Sequence, residues 1–88
     1  MAISFRSDVL PVLSQEGTLV FFAVRDDGKK ISCHISFEAL RDRLGAKAIN
    51  SRDLQLAFME NRTAIHKKAL EALALNGGDS ILLMRDHF

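Results

Sequence analysis

Two stretches of β-forming residues joined by a tight-turn pair constrain the fold of this chain most strongly. Residues 18–24 are rich in β-branched and aromatic side chains, which favours a strand. Residues 29–35 alternate, with apolar side chains at positions 31, 33 and 35 and polar side chains between them. Asp27-Gly28 lies between the two stretches and is a favoured pair for a tight turn. The pattern predicts a β-hairpin with one buried face.

Two helices and a last strand are predicted to follow the hairpin. Ser36 is a good N-cap and Gly45 fits the C′ position, so we expect a short helix over residues 37–44. Apolar side chains recur at helical spacing over residues 52–75, which predicts one long helix. Residues 80–84 favour a strand.

This order predicts a single two-layer α+β domain over residues 1–88. We expect a small, mainly antiparallel sheet, made of the hairpin and the C-terminal strand, with two helices on one face. Residues 1–17 are an irregular segment that can include a short N-terminal strand, and we expect residues 9–13 to cover part of the other sheet face. The expected core is Leu19 or Val20, Phe21 or Phe22, Ile31, Cys33, Ile35, Leu40, Leu54, Phe58, Ile65, Ala69 and Leu82.

The charge and the cysteine content limit the partners and the cellular compartment that the sequence favours. Its net charge is +1, and basic and acidic side chains are balanced in both halves, which argues against nucleic-acid binding. Cys33 is the only cysteine, so we expect a cytoplasmic protein without a disulfide. The longest apolar run, residues 19–24, is far too short to span a bilayer, and no membrane association is expected.

The sequence offers no catalytic, cofactor-binding or metal-ligating residues. His34, His66 and His87 are widely spaced, and no CxxC or phosphate-binding glycine loop is present. Alternation places Cys33 on the core face of its strand, where a thiol behaves as a small hydrophobe. We therefore expect a protein that is not an enzyme and needs no cofactor.

Asn61 and Arg62 are the most unusual pair in the long predicted helix. At 100° per residue Asn61 lies beside the apolar stripe and Arg62 at its edge. A charged residue in that position usually has a partner, and Asp86 near the last strand is the candidate. We expect the Arg62 guanidinium to tie helix to strand, either as an ion pair with Asp86 or through hydrogen bonds to backbone carbonyls near the last strand.

A second apolar stripe on the long helix motivates a homodimer. It consists of Leu56, Met59, Leu70 and Leu73, nearly opposite the main stripe. A monomer with one straight helix would expose it, which soluble monomers usually avoid. The alternative is a helix that breaks near Asn61, so that both halves bury their stripes within one chain.

Several of these residues carry a resemblance to a family of short bacterial proteins, the domain of unknown function numbered fourteen eighty-eight. The resemblance covers about residues 17–88 and rests on residues 58–62, the turn before Ile81-Leu82, and the C-terminal residues 86–88. It implies a small stand-alone α+β domain without an assigned reaction or cofactor. Asn61, Arg62, Asp86 and Phe88 match recurring family positions. The chain departs from the pattern late in the long helix, which lacks an aromatic residue there, and at His87, which separates Asp86 from Phe88.

The leading interpretation is a domain that acts through protein contacts as a homodimer or adaptor, with an unidentified protein partner. A regulatory nucleic-acid-binding protein is one alternative, which an exposed basic stripe would favour. A small-molecule-binding domain is the other, which a cavity lined by convergent polar groups would favour.

Overall fold

The β-hairpin is the centre of the fold in the computed structural model, which describes residues 3–5, 11–77 and 80–88. The strands are β1 (Ile3–Phe5), β2 (Val12–Leu13), β3 (Thr18–Arg25), β4 (Lys30–Ser36) and β5 (Ile81–Leu83), and the helices are α1 (Phe37–Asp42), α2 (Ser51–Glu60) and α3 (Arg62–Leu75), followed by a 3-10 turn at Arg85–His87. The helices pack against the sheet, which confirms the predicted α+β class.

The predicted hairpin is confirmed in its pairing and its turn. β3 and β4 pair antiparallel, from Thr18 opposite Ser36 to Val24 opposite Lys30. The Gly28 amide donates to the Arg25 carbonyl oxygen at 2.9 Å, and Gly28 has a φ of 85°. A side chain would be strained at that φ, so the turn requires glycine at this position.

The sheet is mixed, because its last strand joins it in parallel. The strand order is β1-β3-β4-β5, with β2 also pairing β3. β5 runs parallel to β4, with Leu82 beside His34. A parallel neighbour requires a crossover connection, and the three helices between β4 and β5 supply it.

The helix predicted over residues 52–75 is two helices that break at Asn61. Asn61 has φ −112° and ψ 19°, and its amide contacts the carbonyl oxygens of Ala57 and Phe58. A straight helix of that length would be about 36 Å long, whereas an eight-residue strand such as β3 is about 27 Å long. The break lets α2 and α3 each lay an apolar side on the same sheet. The alternative that the sequence left open is therefore the one that the structure adopts.

The core matches the expected one except in the last strand. Of the residues given as alternatives for the core, Leu19 and Phe21 are buried. Val20 and Phe22 lie on the other face of the sheet and are half-buried. Leu82 was expected in the core but is 48% exposed, whereas Ile81 and Leu83 are buried. The cause is the parallel register, in which Ile81 and Leu83 lie beside the buried residues of β4. The other expected core residues, all buried, are Ile31, Cys33, Ile35, Leu40, Leu54, Phe58, Ile65 and Ala69.

The second apolar stripe does not form the continuous surface that was predicted. Leu73 is fully buried in the core, so its place in an interface was wrong. Met59 is half-buried against the core, while Leu56 and Leu70 are exposed. Leu73 follows Ala69 by four residues and Ile65 by eight, so it lies on the buried side of α3, whereas Leu70 in the same helix does not.

The N-terminal residues that the structure describes belong to the sheet. β1 pairs with the end of β3, and β2 pairs Val12 with Val20. Residues 9 and 10 lie outside the described residues. Val12 and Leu13 form an edge strand beside β3 rather than a cover over its face.

No helix within residues 3–5, 11–77 and 80–88 is long and apolar enough to cross a bilayer.

Phe58 tests the packing between helix and sheet. Its ring is 4% exposed and its centroid lies 5.1 Å from that of Phe21. We expect Phe58→Ala to lower the free energy of unfolding by about 3–5 kcal/mol, because it leaves a cavity at the centre of a small core. Urea unfolding measures this, with Leu70→Ala as an exposed control. A Phe58→Ala curve that overlays the wild type would show that this core is misplaced.

Candidate functional site

Asn61 anchors the break between α2 and α3. Its side-chain nitrogen donates to the carbonyl oxygens of Leu44 at 3.0 Å and of Ala57 at 2.9 Å. The first hydrogen bond ties the helix junction to the loop that follows α1, and the second satisfies a carbonyl in the last turn of α2. The position of Asn61 is accounted for by this structural contact.

The structure does not bring Arg62 and Asp86 together. Arg62 is half-buried at the start of α3 and Asp86 is exposed in the C-terminal turn. Over residues 3–5, 11–77 and 80–88, no ion pair involves either side chain. Phe88 is half-buried and packs against the core.

Arg85 forms the ion pair that ties the C-terminal turn to a helix. Its Nη1 lies 3.2 Å from Oδ2 of Asp42, whose Oδ1 accepts from Arg41 Nε at 2.9 Å. Hydrogen bonds from these two guanidinium groups lower the pKa of Asp42. Sequence reasoning missed Asp42, because residues 43 positions apart carry no periodic signal of their contact.

His66 lies in an aromatic cluster rather than in a polar site. Its ring stacks on that of Phe5, with centroids 4.1 Å apart and an interplanar angle of 4°. The Phe21 and Phe58 rings lie 6.2 and 6.3 Å away. Burial among these rings, together with the nearby charge of Arg62, lowers the pKa of His66.

Cys33 is enclosed in the core between strand and helices. It is fully buried, and burial raises the pKa of its thiol to about 11. A thiol in that state supplies almost no thiolate near neutral pH. The three histidines stay apart, and no cluster of metal-ligating side chains occurs in the described part of the chain.

The sheet face opposite the helices, which we call the outer face, carries exposed apolar side chains. Across one level of the sheet it presents Val12, Val20, His34 and Leu82 as neighbours on four strands. Val12 is 57% exposed and Leu82 48%. Phe22 lies next along β3 and is half-buried beneath Lys30, whose Nζ is 4.0 Å from the ring centroid.

One polar network crosses the outer face. Thr18 Oγ1 lies 2.8 Å from Ser14 Oγ and 3.2 Å from His34 Nδ1. These bonds satisfy the buried Thr18 hydroxyl.

A groove of about 390 Å³ lies where the outer face ends, beside the start of β3 and the ends of β4 and β5. We call it the end groove. Its apolar lining includes Phe37, Ile49, Leu82 and Met84, and its charged lining residues are Glu16 and Glu38. Among the described residues no basic side chain lines the groove, and its charged rim is formed by these two carboxylates.

The comparisons with known proteins give a family and nothing more specific. A family model described as "Protein of unknown function (DUF1488)" matches residues 3–83, which confirms the resemblance seen in the sequence. The match includes Asn61 and Arg62 and ends before Asp86 and Phe88. No curated protein and no solved structure matches the chain.

Burial of Cys33 predicts an unreactive thiol. We expect Ellman's reagent at pH 8 to leave the native protein unlabelled over minutes, because the sulfur is both inaccessible and protonated. The same reagent should label one thiol per chain in urea. Rapid labelling of the native protein would show that Cys33 is open to solvent.

The His66 environment predicts that stability falls as the solution becomes acidic. The unfolded imidazole has an ordinary pKa of about 6.5, and the folded value is lower. Above about pH 6.5 the contribution of His66 to the free energy of unfolding is fully present. This contribution is lost as the pH drops through the folded-state pKa, because only the unfolded chain binds the proton readily.

Urea unfolding at pH 7.5 and 5.5 measures this effect above the range in which ordinary carboxyl groups titrate. We expect His66→Gln to reduce the difference between the two pH values, and His87→Gln, at an exposed position, to leave it in place. The same pH difference in wild type and His66→Gln would contradict the assignment.

Proposed function

The chain belongs to the DUF1488 family of proteins of unknown function, and from that premise we propose that it is a non-enzymatic domain that acts through protein contacts and forms a homodimer through the outer face of its sheet. The observation that carries the proposal is the apolar surface that Val12, Val20 and Leu82 form around His34 on that face, with Val12 and Leu82 exposed. Contiguous apolar surface of this kind marks interaction sites on soluble proteins.

The arrangement of layers explains why none of the described elements covers this surface. All three helices follow β4 and the buried residues of α1, α2 and α3 join the core on one side of the sheet. β2 takes a place at the sheet edge. Val20 and Phe22 on β3, an apolar strand on both faces, therefore depend on an external partner for full burial.

A second copy of the chain fits the size of this face. The five strands hold 23 residues, which at the usual rise and strand spacing make a face of about 370 Å². Two copies would therefore bury about 750 Å² in total, the size of a weak interface. Lys30 is the charged side chain on this face of the hairpin, and it lies over Phe22. Two such faces can meet with little like-charge repulsion, and we expect a dissociation constant in the micromolar range.

Sedimentation velocity between about 1 and 200 µM tests the proposal. We expect the mass to rise from 9.8 kDa toward twice that value with concentration. Leu82→Glu, which places a carboxylate on the outer face, should raise the dissociation constant at least about tenfold, since it buries an unpaired charge.

Leu70→Glu on α3 is the matched control, because Leu70 is 42% exposed, close to the 48% of Leu82, and belongs to the helical layer. It should leave the dimer unchanged. A monomer at all concentrations would refute the dimer. Loss of the dimer in Leu70→Glu, or in a combined Leu56, Met59 and Leu70→Glu variant, with Leu82→Glu still dimeric, would place the interface on the helices.

A further inference from the structure

We infer that the two-fold axis of the dimer runs across the strands, so that Lys30 of each copy lies at the end groove of the other. This inference rests on the proposed homodimer and specifies its geometry. It comes from two patterns that run along the outer face, one of apolar side chains and one of charges.

The apolar pattern follows from the hairpin register. Along the outer face the cross-strand pairs are, in order, Thr18 with Ser36, Val20 with His34, Phe22 with Ser32, and Val24 with Lys30. The apolar groups of β3 on this face are Val20, Phe22 and Val24. Phe22, the largest, and Val20 occupy the two central levels.

The charge pattern places opposite signs at opposite ends of the same face. At the end where β3 begins, Glu16 and Glu38 line the end groove, and neither carboxylate is ion-paired within the part of the chain that the structure describes. At the other end Lys30 is exposed, and its ammonium group lies over the Phe22 ring at 4.0 Å from the centroid. The described residues give Lys30 no carboxylate partner.

Two sheets that pack face to face with aligned strands can be related by an axis along the strands or across them. An axis along the strands keeps each end of the face beside the same end of the second copy, which brings Glu16 and Glu38 toward their own equivalents. When such an axis passes between β3 and β4, it also sets Phe22 opposite the second copy's Ser32. Like charges and an apolar-polar mismatch both disfavour this arrangement.

An axis across the strands, between the two central levels, reverses one face relative to the other. Val20 then lies opposite the second copy's Phe22, and the symmetry produces that contact twice. The Lys30 end meets the groove end, where the ammonium group can approach Glu16 and Glu38 and the lysine stem can lie along the apolar lining. Both patterns favour this axis.

Charge reversal tests the geometry by sedimentation velocity at low salt. Lys30→Glu should raise the dissociation constant about tenfold or more, because it turns two symmetric attractions into repulsions. Glu16→Lys combined with Glu38→Lys should have a similar effect. Lys29→Glu is the matched control, since it makes the same charge change one residue away in the exposed turn, and it should remain within about twofold of the wild type.

Mixing the two weakened variants is the decisive measurement. A heterodimer of Lys30→Glu with the Glu16→Lys, Glu38→Lys variant restores both opposite-charge contacts, so the mixture should dimerise about as tightly as the wild type while each variant alone does not. Circular dichroism checks that each variant is folded. If Lys30→Glu is not, Lys30→Gln replaces it in the single-variant assay, and the double variant leaves the Lys30–Phe22 contact intact.

The possible results separate the two claims. A wild type that dimerises, with Lys30→Glu no weaker than Lys29→Glu and no gain on mixing, would overturn this axis and leave the dimer standing. A wild type that stays monomeric would overturn the inference together with the proposed function.

Discussion

Burial of the inner face of the β3–β4 hairpin beneath the helices is the interaction on which the rest of the structure depends. Leu19, Cys33 and Ile35 are completely excluded from solvent, and Phe21 is nearly so. An isolated hairpin is marginal in water, so this face requires a second layer. The three helices supply it and then return the chain to the sheet as a parallel fifth strand.

The junction at Asn61 shows how a small core sets the shape of the helical layer. Ala57 and Phe58 before the junction and Ile65 and Ala69 after it are all buried. An uninterrupted helix would extend beyond a sheet of this size and leave part of that apolar surface uncovered. The side-chain hydrogen bonds of Asn61 satisfy carbonyl groups at the break and in the loop before α2. They reduce the energetic cost of interrupting the helix.

Covering one face of the sheet has a direct consequence for the other. The three helices form one layer, and on the side of β3 away from β4 the sheet has only the short strands β1 and β2 among the described residues. The side chains of β3 alternate, so the same eight residues that fill the core also place Val20 and Phe22 on the outer face. The proposed homodimer follows from this asymmetry. The end groove and Lys30 lie at opposite ends of the outer face, so its two ends differ.

The sequence by itself determined the elements whose signals are local. The turn at Asp27-Gly28, the Ser36 cap, the alternation of β4 and the buried side of each helix are all encoded within a few residues, and the structure agrees with them. Tertiary structure alone decided where the elements meet. The parallel register that buries Ile81 and Leu83 and exposes Leu82 depends on a strand 48 residues away, and the Arg85–Asp42 pair joins residues 43 apart. The break at Asn61 reflects the length of the sheet that the helices must cover. These contacts are chosen by the fit of whole layers, so no short pattern in the sequence records them.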